Sequence, residues 1–426
     1  MSKVTETVEA IKVELEVADD IGNDSTKIGI TNEKELDTTQ PSIITRLMKK
    51  PNVSEASTES IVGNLYDELL VEITSNSIKR SSGFFLVGNR ALKYTGTNPK
   101  ENMNIKIGEK HRSDIPLIMT LSMNAATCVK KAYKEQKTLP SVIKADIKIS
   151  SNIPASEYSP EKARHLEERF TNDTHSVIVH VGNKQVLVIL NYKEAKVTQE
   201  GIPSLYAMRE SGKDIFRNYV REYIFKKEVS LKEGISKKEE DKAFEKFFES
   251  YEIDSKKFFK NKKILHADIG NGTTEYIYTI GMKPQTDSCS GEKRGVGHAT
   301  DEATKLLKDE LNGRIDINRQ KFSEILKDSD HNLYDDTVKF FNEAKYIQSD
   351  LILGDIEDRI VNYTNNDAEL VAVYGGGSIV FNDTLYDDLI NLCEELKVQV
   401  LWIPEQYAVD LNKNGLNILN RKVFFK

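Results

Sequence analysis

Two stretches of this chain repeat one short pattern, and this repeat constrains the fold more than any other feature of the sequence. Residues 18–31 read ADDIGNDSTKIGIT, and residues 267–280 read ADIGNGTTEYIYTI. Each copy places an aspartate at the end of an apolar run, then Ile-Gly-Asn, then a pair of hydroxyl residues and a second apolar run. The pattern predicts a strand, a turn and a second strand in each copy.

Other segments predict strands mixed with helices. Apolar or alternating runs predict strands at 11–17, 27–30, 69–73, 84–87, 176–181, 186–190, 264–267, 276–280 and 370–374, and helical spacing predicts helices at 116–126, 302–311 and 338–347. Strands and helices mixed over 426 residues favour α/β lobes with mixed sheets. The length favours two domains.

Composition excludes several classes of protein. With 60 basic and 67 acidic side chains the net charge is −7, which disfavours direct binding of nucleic acid. Cys128, Cys289 and Cys393 form no CxxC pair, so neither a disulfide framework nor a zinc site is predicted, and a reducing cytoplasm fits best. The sequence contains no run of about 20 apolar residues, so no membrane span is predicted.

The repeated turns have the composition of a phosphate-binding site. Either turn alone is an ordinary hairpin. As a pair, their glycines allow backbone N–H groups to converge on one spot, where hydroxyl side chains add further donors. Asp20 and Asp268 provide two carboxylates for a hydrated Mg²⁺ beside a triphosphate. Lys27 is expected to turn back toward the phosphates as a fixed positive charge.

A third element has a similar character. Residues 371–378 read VAVYGGGS, a buried-looking strand that ends in glycines before a helix-like stretch. Glycines permit close approach of a nucleotide, and a helix N-terminus offers N–H donors to an anion. The alternative interpretation is a plain strand-to-helix turn.

The segment 209–263 differs from the rest in its density of lysine and glutamate. It carries two aromatic stripes at helical spacing, one at 215–223 and one at 244–251. We expect these stripes to pack on their own domain, since most amphipathic helices face a core, with a partner surface as the alternative.

On these hairpins and the glycine loop, the chain resembles the superfamily of actin, Hsp70 and sugar kinases, and within it the bacterial plasmid-segregation actins of the ParM type. The likeness covers most of the chain outside the first dozen residues and 209–263. It is also carried by segments at 40–44, 85–92, 114–121, 152–155, 197–201, 294–301 and 407–416.

The resemblance implies two duplicated RNase H-like lobes with mixed sheets, flanking helices and a nucleotide cleft between them. It implies domain I at 1–206 plus 404–426, with a small subdomain inserted at about 41–112, and domain II at 207–403, with an insertion at about 209–263. It implies nucleotide-binding roles for Gly22, Asn23, Ser25, Thr26, Lys27, Gly270, Asn271, Gly272, Thr273, Thr274, Gly295, Gly297, Gly375, Gly376, Gly377 and Ser378, and Mg²⁺ binding through water by Asp20 and Asp268.

The implied catalytic residues are Glu200, Asp20 and Asp268. Glu200 falls where such proteins carry the residue that orients the attacking water, and Gln199 takes that role if the alignment shifts by one residue. Asp24 departs from the pattern, because an acid in a phosphate turn repels the ligand unless its side chain points away.

The implied function is an ATPase, with GTP as the alternative nucleotide, that polymerises head to tail into dynamic filaments in the bacterial cytoplasm. Such filaments segregate plasmid DNA through a DNA-binding adaptor at a plasmid centromere. The alternatives are a small-molecule kinase, for which no substrate pocket is identified, and a scaffold that binds nucleotide without hydrolysis. An Hsp70-like chaperone is disfavoured, because only about 50 residues follow the glycine loop.

Overall fold

The computed structural model describes residues 10–51, 57–103, 109–229 and 236–426. The first nine residues, parts of the predicted small subdomain (52–56 and 104–108) and part of the predicted insertion (230–235) lie outside these ranges. The chain divides into two compact units, Met1–Pro203 with Lys413–Lys426, and Ser204–Asn412. The domain and insertion boundaries given by the sequence stay predictions.

The strands are numbered in chain order. They are β1 (Ile11–Ile21), β2 (Ser25–Ile30), β3 (Thr38–Pro41), β4 (Ile43–Leu47), β5 (Leu70–Thr74), β6 (Ser82–Val87), β7 (Lys100–Asn102), β8 (Val142–Ile153), β9 (His175–Val181), β10 (Lys184–Gln199), β11 (Lys263–Ile269), β12 (Thr274–Ile280), β13 (Lys283–Pro284), β14 (Ser290–Glu292), β15 (Leu370–Tyr374) and β16 (Gln399–Trp402).

The α-helices are numbered in the same way. They are α1 (Thr58–Gly63), α2 (Asn89–Leu92), α3 (Asp114–Gln136), α4 (Pro160–Thr171), α5 (Ile202–Arg209), α6 (Arg217–Val220), α7 (Lys226–Glu228), α8 (Lys237–Ser250), α9 (Ser255–Phe258), α10 (Val296–Glu310), α11 (Arg319–Ile325), α12 (Tyr334–Asp358), α13 (Gly376–Val380), α14 (Asn382–Glu395), α15 (Glu405–Ala408) and α16 (Leu411–Leu419).

The two sheets share an arrangement of five strands. In the first unit, β3, β2 and β1 form an antiparallel meander, and β8 and β10 continue from β1 in parallel. In the second unit, β13, β12 and β11 form the meander, and β15 and β16 continue in parallel. The repeated sequence therefore corresponds to a repeated strand order, with each aspartate near the end of the central strand.

The first unit extends this plan and buries its core under helices. Strands β9, β5, β6, β4 and β7 follow β10 and complete a sheet of ten strands. Helix α3 has apolar residues on all of its faces, so it is buried along most of its length. It packs against β1, β9 and β10. Alternation of apolar and polar residues gives β1 and β8 one face toward this core.

The second unit has a core on each face of its sheet. Helices α10, α12 and α14 cover one face. The aromatic stripes cover the other: Phe216, Tyr219 and Phe244 are buried in the core that also contains Tyr374. This burial supports the interpretation that the stripes pack on their own domain. Among the described residues, none of the helices combines the length and apolar character that a membrane crossing requires.

Candidate functional site

The first hairpin turn is closed by its own backbone. Strand β1 ends at Ile21, β2 begins at Ser25, and the N–H of Gly22 donates to the carbonyl of Ser25 at 3.0 Å. A Cβ on Gly22 would lie 2.6 Å from that oxygen, so the turn requires glycine. Asn23 and Ser25 are half-buried and Asp24 is exposed, which places the polar residues of the turn at its surface.

The second hydroxyl residue of this hairpin points inward. Thr26 is fully buried, with its hydroxyl 3.0 Å from the hydroxyl of Ser42. Ser42 in turn donates to the carbonyl of Gly22 at 2.7 Å. The Thr26 side chain therefore stabilises the turn from inside the unit, and its role in nucleotide binding stays a prediction.

The second hairpin also has one hydroxyl residue near the surface of its turn and one that is buried. The N–H of Gly270 donates to the carbonyl of Thr273 at 2.9 Å, as in the first turn. Thr273 is half-buried, whereas Thr274 is buried and its hydroxyl donates to the carbonyl of Arg294 at 3.4 Å. The Thr274 hydroxyl, like that of Thr26, therefore bonds within its own unit, and its role in nucleotide binding stays a prediction.

The start of helix α10 supports the second turn. The N–H of Gly297 donates to the carbonyl of Asn271 at 2.8 Å, and Nε2 of His298 donates to that of Gly272 at 2.9 Å. Gly295 has a φ of +148°, and a Cβ there would lie 2.5 Å from the carbonyl oxygen of Gly270. Gly295 and Gly297, which the sequence placed in the nucleotide site, thus hold the turn in position.

The glycine loop packs against the aspartate of the second hairpin. Gly375 has a φ of +89°, and a Cβ there would lie 2.5 Å from Oδ1 of Asp268. Gly377 is buried against β11, whereas Gly376 is exposed with no heavy atom within 4 Å of a Cβ position. The buried hydroxyl of Ser378 donates to the carbonyl of Gly375 at 2.8 Å, so it closes its own turn and does not reach outward.

Asp20 is held by two neighbours. Lys27 lies opposite Asp20 in the β1–β2 ladder, and its Nζ contacts Oδ2 at 3.0 Å. The side-chain amide of Asn152, at the end of β8, donates to Oδ1 at 3.3 Å. The ammonium of Lys27 therefore contacts Asp20, and its role as a fixed positive charge toward the phosphates stays a prediction.

Asp268 has a comparable amide partner and a different partner across the ladder. The amide of Asn412 donates to Oδ2 of Asp268 at 2.9 Å. The residue opposite Asp268 in the β11–β12 ladder is the buried Glu275, an acid where the first hairpin has a lysine. The two hairpins thus share their backbone and the amide on the aspartate, and differ in charge at one register position.

Glu200 follows directly after β10 and forms a buried ion pair. Its Oε1 lies 2.5 Å from Nζ of Lys110, and the two side chains are 14% and 4% exposed. Burial raises the pKa of Glu200, Lys110 opposes that rise, and the charge of Asp20 adds to it. Burial lowers the pKa of Lys110, but the carboxylates of Glu200, Glu157 and Asp20 together more than offset this, so that the net pKa is raised and the lysine stays a cation.

Two buried polar atoms beside these groups have no hydrogen-bond partner in the described part of the chain. They are Oδ1 of Asn152, whose amide holds Asp20, and Nε2 of Gln199, next to Glu200. Buried polar groups are normally paired, so both atoms fit a polar ligand. Within the described ranges, no group of three or more His, Cys, Asp and Glu side chains could hold a metal ion directly. Magnesium binding through water by Asp20 and Asp268 stays a prediction.

The sequence did not assign a role to several of these neighbours. Asn152 and Asn412 lie in segments that carry the family resemblance, which was the available signal. Ser42 also lies in such a segment, at 40–44, whereas Lys110 stands in a stretch with no motif and nothing in the sequence marked it.

Comparison with known proteins identifies the fold. No protein-family model matches the chain, and no curated protein matches its sequence. The crystal structure of the actin-like protein Alp7A matches with a TM-score of 0.62 at 17% identity, covering 97% of this chain and 96% of that one. A 15-stranded ParM filament from Clostridium botulinum matches with a TM-score of 0.63 at 14% identity, covering 96% and 99%. The chain has the actin-like fold.

A third match is consistent with this assignment. Bacillus thuringiensis ParM with ATP matches with a TM-score of 0.54 at 14% identity, covering 96% of this chain and 98% of that one. The α/β class predicted from the sequence and the resemblance to ParM-type proteins are confirmed at the level of the fold.

Proposed function

We propose that this chain is an ATPase that binds ATP with Mg²⁺ and assembles with itself into filaments. The observation that carries the proposal is the duplicated hairpin of the actin-like fold, in which Asp20 and Asp268 occupy the same position and each accepts a hydrogen bond from an asparagine amide. The similar structures include an actin-like protein, a ParM filament and a ParM with ATP, which support this function over others on the fold.

The proposed chemistry is in-line attack of water on the terminal phosphate. In this proposal each hairpin provides phosphate contacts of its own, from the N–H groups of its turn and from half-buried turn residues: Asn23 and Ser25 in the first hairpin, and Thr273 in the second. Glu200 orients the water and accepts its proton, which suits a carboxylate whose pKa burial has raised. Bound Mg²⁺ supplies charge neutralisation at the phosphates, with Asp20 and Asp268 as the residues that would hold its water ligands.

Assembly and biological role belong to the same proposal. Head-to-tail contacts between copies give open filaments when the operation relating them does not close into a ring. The resemblance suggests a filament in the bacterial cytoplasm that moves plasmid DNA through an adaptor protein, with GTP as the alternative nucleotide.

The test combines right-angle light scattering with phosphate release in one cuvette, with Mg-ATP, with Mg-ADP and without nucleotide. We expect scattering to rise with ATP and to decay as phosphate appears. Glu200→Ala should bind nucleotide and slow phosphate release by about 10²–10⁴-fold. Glu135→Ala, at an exposed position on α3, is the matched control and should behave as the unaltered chain does. Flat scattering with nucleotide bound would refute filament formation, and unchanged release by Glu200→Ala would refute the role of Glu200.

A further inference from the structure

Lys110 is a buried cation that lies outside both hairpins and the glycine loop. Its ammonium lies 2.5 Å from Glu200 and is 4% exposed, although lysine is rarely buried without a function or a partner. The charges of Glu157 and Asp20 also act on it. Removing an ammonium from water is costly unless carboxylates compensate, and Glu200, in direct contact with Lys110, provides most of that compensation.

The backbone around Lys110 is fixed from two sides. The carboxylate of Glu157 accepts the N–H of Lys110 at 2.9 Å. The guanidinium of Arg169, on α4, donates to the carbonyls of His111 and Ser113 at 3.1 and 2.6 Å. A long lysine side chain loses considerable rotamer freedom when it is held in one place. These bonds, formed within one compact unit, hold the backbone at and next to Lys110 in place and so limit the positions that its ammonium can reach.

We infer that Lys110 is the positioning residue for the Glu200 carboxylate, a role that rests on the proposed function. The ammonium binds Oε1 of Glu200 and leaves Oε2 as the oxygen that can orient and deprotonate water. Without this contact, the carboxylate would be buried beside Asp20 with no cation, and it would rotate or draw in solvent. Lys110 acts through Glu200 and not on the nucleotide.

The test compares steady-state phosphate release and nucleotide affinity across substitutions in the full chain. Lys110→Met removes the charge and keeps the length of the side chain, and Lys110→Arg restores a cation. Arg112→Met is the matched control: Arg112 lies two residues further on, is 65% exposed and pairs only weakly with Glu109 at 3.4 Å. Thermal unfolding followed by circular dichroism establishes that each variant is folded, and affinity is measured with a fluorescent ATP analogue.

We expect Lys110→Met to lower kcat by about 100-fold with KM and nucleotide affinity changed by less than about threefold, since misplacing a catalytic group acts on the transition state. Lys110→Arg should recover at least a tenth of the lost rate, which a purely structural defect would not predict. In the Glu200→Ala background, Lys110→Met should change the rate by less than about twofold, because both substitutions remove one function.

Three results would overturn the inference while leaving the proposed function intact: an unchanged kcat in Lys110→Met, a loss of nucleotide affinity at constant kcat, which would place Lys110 on the phosphates, or full additivity with Glu200→Ala. An absence of phosphate release from the unaltered chain would instead refute the proposed function, and the role of Lys110 with it.

Discussion

Gly375 offers a quantitative test of how the glycine loop is built. In Gly375→Ala, the new Cβ would lie 2.5 Å from Oδ1 of Asp268 and 2.5 Å from the carbonyl oxygen of Ile269. The φ of 89° with ψ of 168° falls in a region that is almost restricted to glycine and costs about 1–3 kcal/mol for other residues. Overpacking in a close-packed region adds about 1–3 kcal/mol. The two contributions predict a loss of about 2–6 kcal/mol in the free energy of unfolding.

The adjacent glycine provides the control for this prediction. Gly376 is exposed and a Cβ there meets no heavy atom within 4 Å, so Gly376→Ala should leave the free energy of unfolding within about 1 kcal/mol of the unaltered chain. Urea unfolding followed by far-UV circular dichroism measures both variants. A loss below about 0.5 kcal/mol in Gly375→Ala, or equal losses in the two variants, would refute this account of the loop.

Three further substitutions test other parts of the structure, each by urea unfolding. Ser42→Ala leaves the carbonyl of Gly22 without its donor and should cost about 1–3 kcal/mol; a neutral result would show that this bond is replaced. Arg169→Lys cannot reproduce the forked contacts of the guanidinium and should cost at least about 2 kcal/mol, unless an ammonium suffices. Burial lowers the pKa of His180 from 6.5 to about 4, so the unfolded chain binds more protons between these values and stability falls as the pH drops through them. His180→Phe should reduce that loss, since buried His266 contributes to it as well, and the control His165→Phe should not reduce it.

The sequence predicted the positions of the main elements better than their lengths. The strands at the two hairpins and at 370–374 were found because each is a clear apolar or alternating run. Strand β10 extends to Gln199, beyond the predicted 186–190, because its later part is rich in lysine and contains a register shift between Tyr192 and Glu194. Helix α12 extends over 25 residues, although only 338–347 showed clear helical spacing, because its ends are mostly polar.

The candidate site was predictable only where it is local in sequence. Both turns and the glycine loop are short motifs, so their composition reveals them. The partners of the charged residues are distant: Lys110 and Glu200 are 90 positions apart, and Asn412 and Asp268 are 144 apart. Periodicity and turn chemistry carry no information about such pairs, which depend on the packing of separate strands and helices. Lys27 was expected to turn back toward the phosphates, and its contact with Asp20 across the ladder was not part of that prediction.

The two hairpins differ in charge at one register position, so the duplication does not give them the same electrostatic environment. Lys27 lies opposite Asp20, and Glu275 lies opposite Asp268. If the two turns were exchanged, the bonds that close each turn would survive, but a cation and an acid would trade places. An anionic group would then meet attraction where it had met repulsion. The two copies therefore share the bond that closes the turn but present opposite charges at one register position, so the duplication repeats the backbone and not the electrostatic environment.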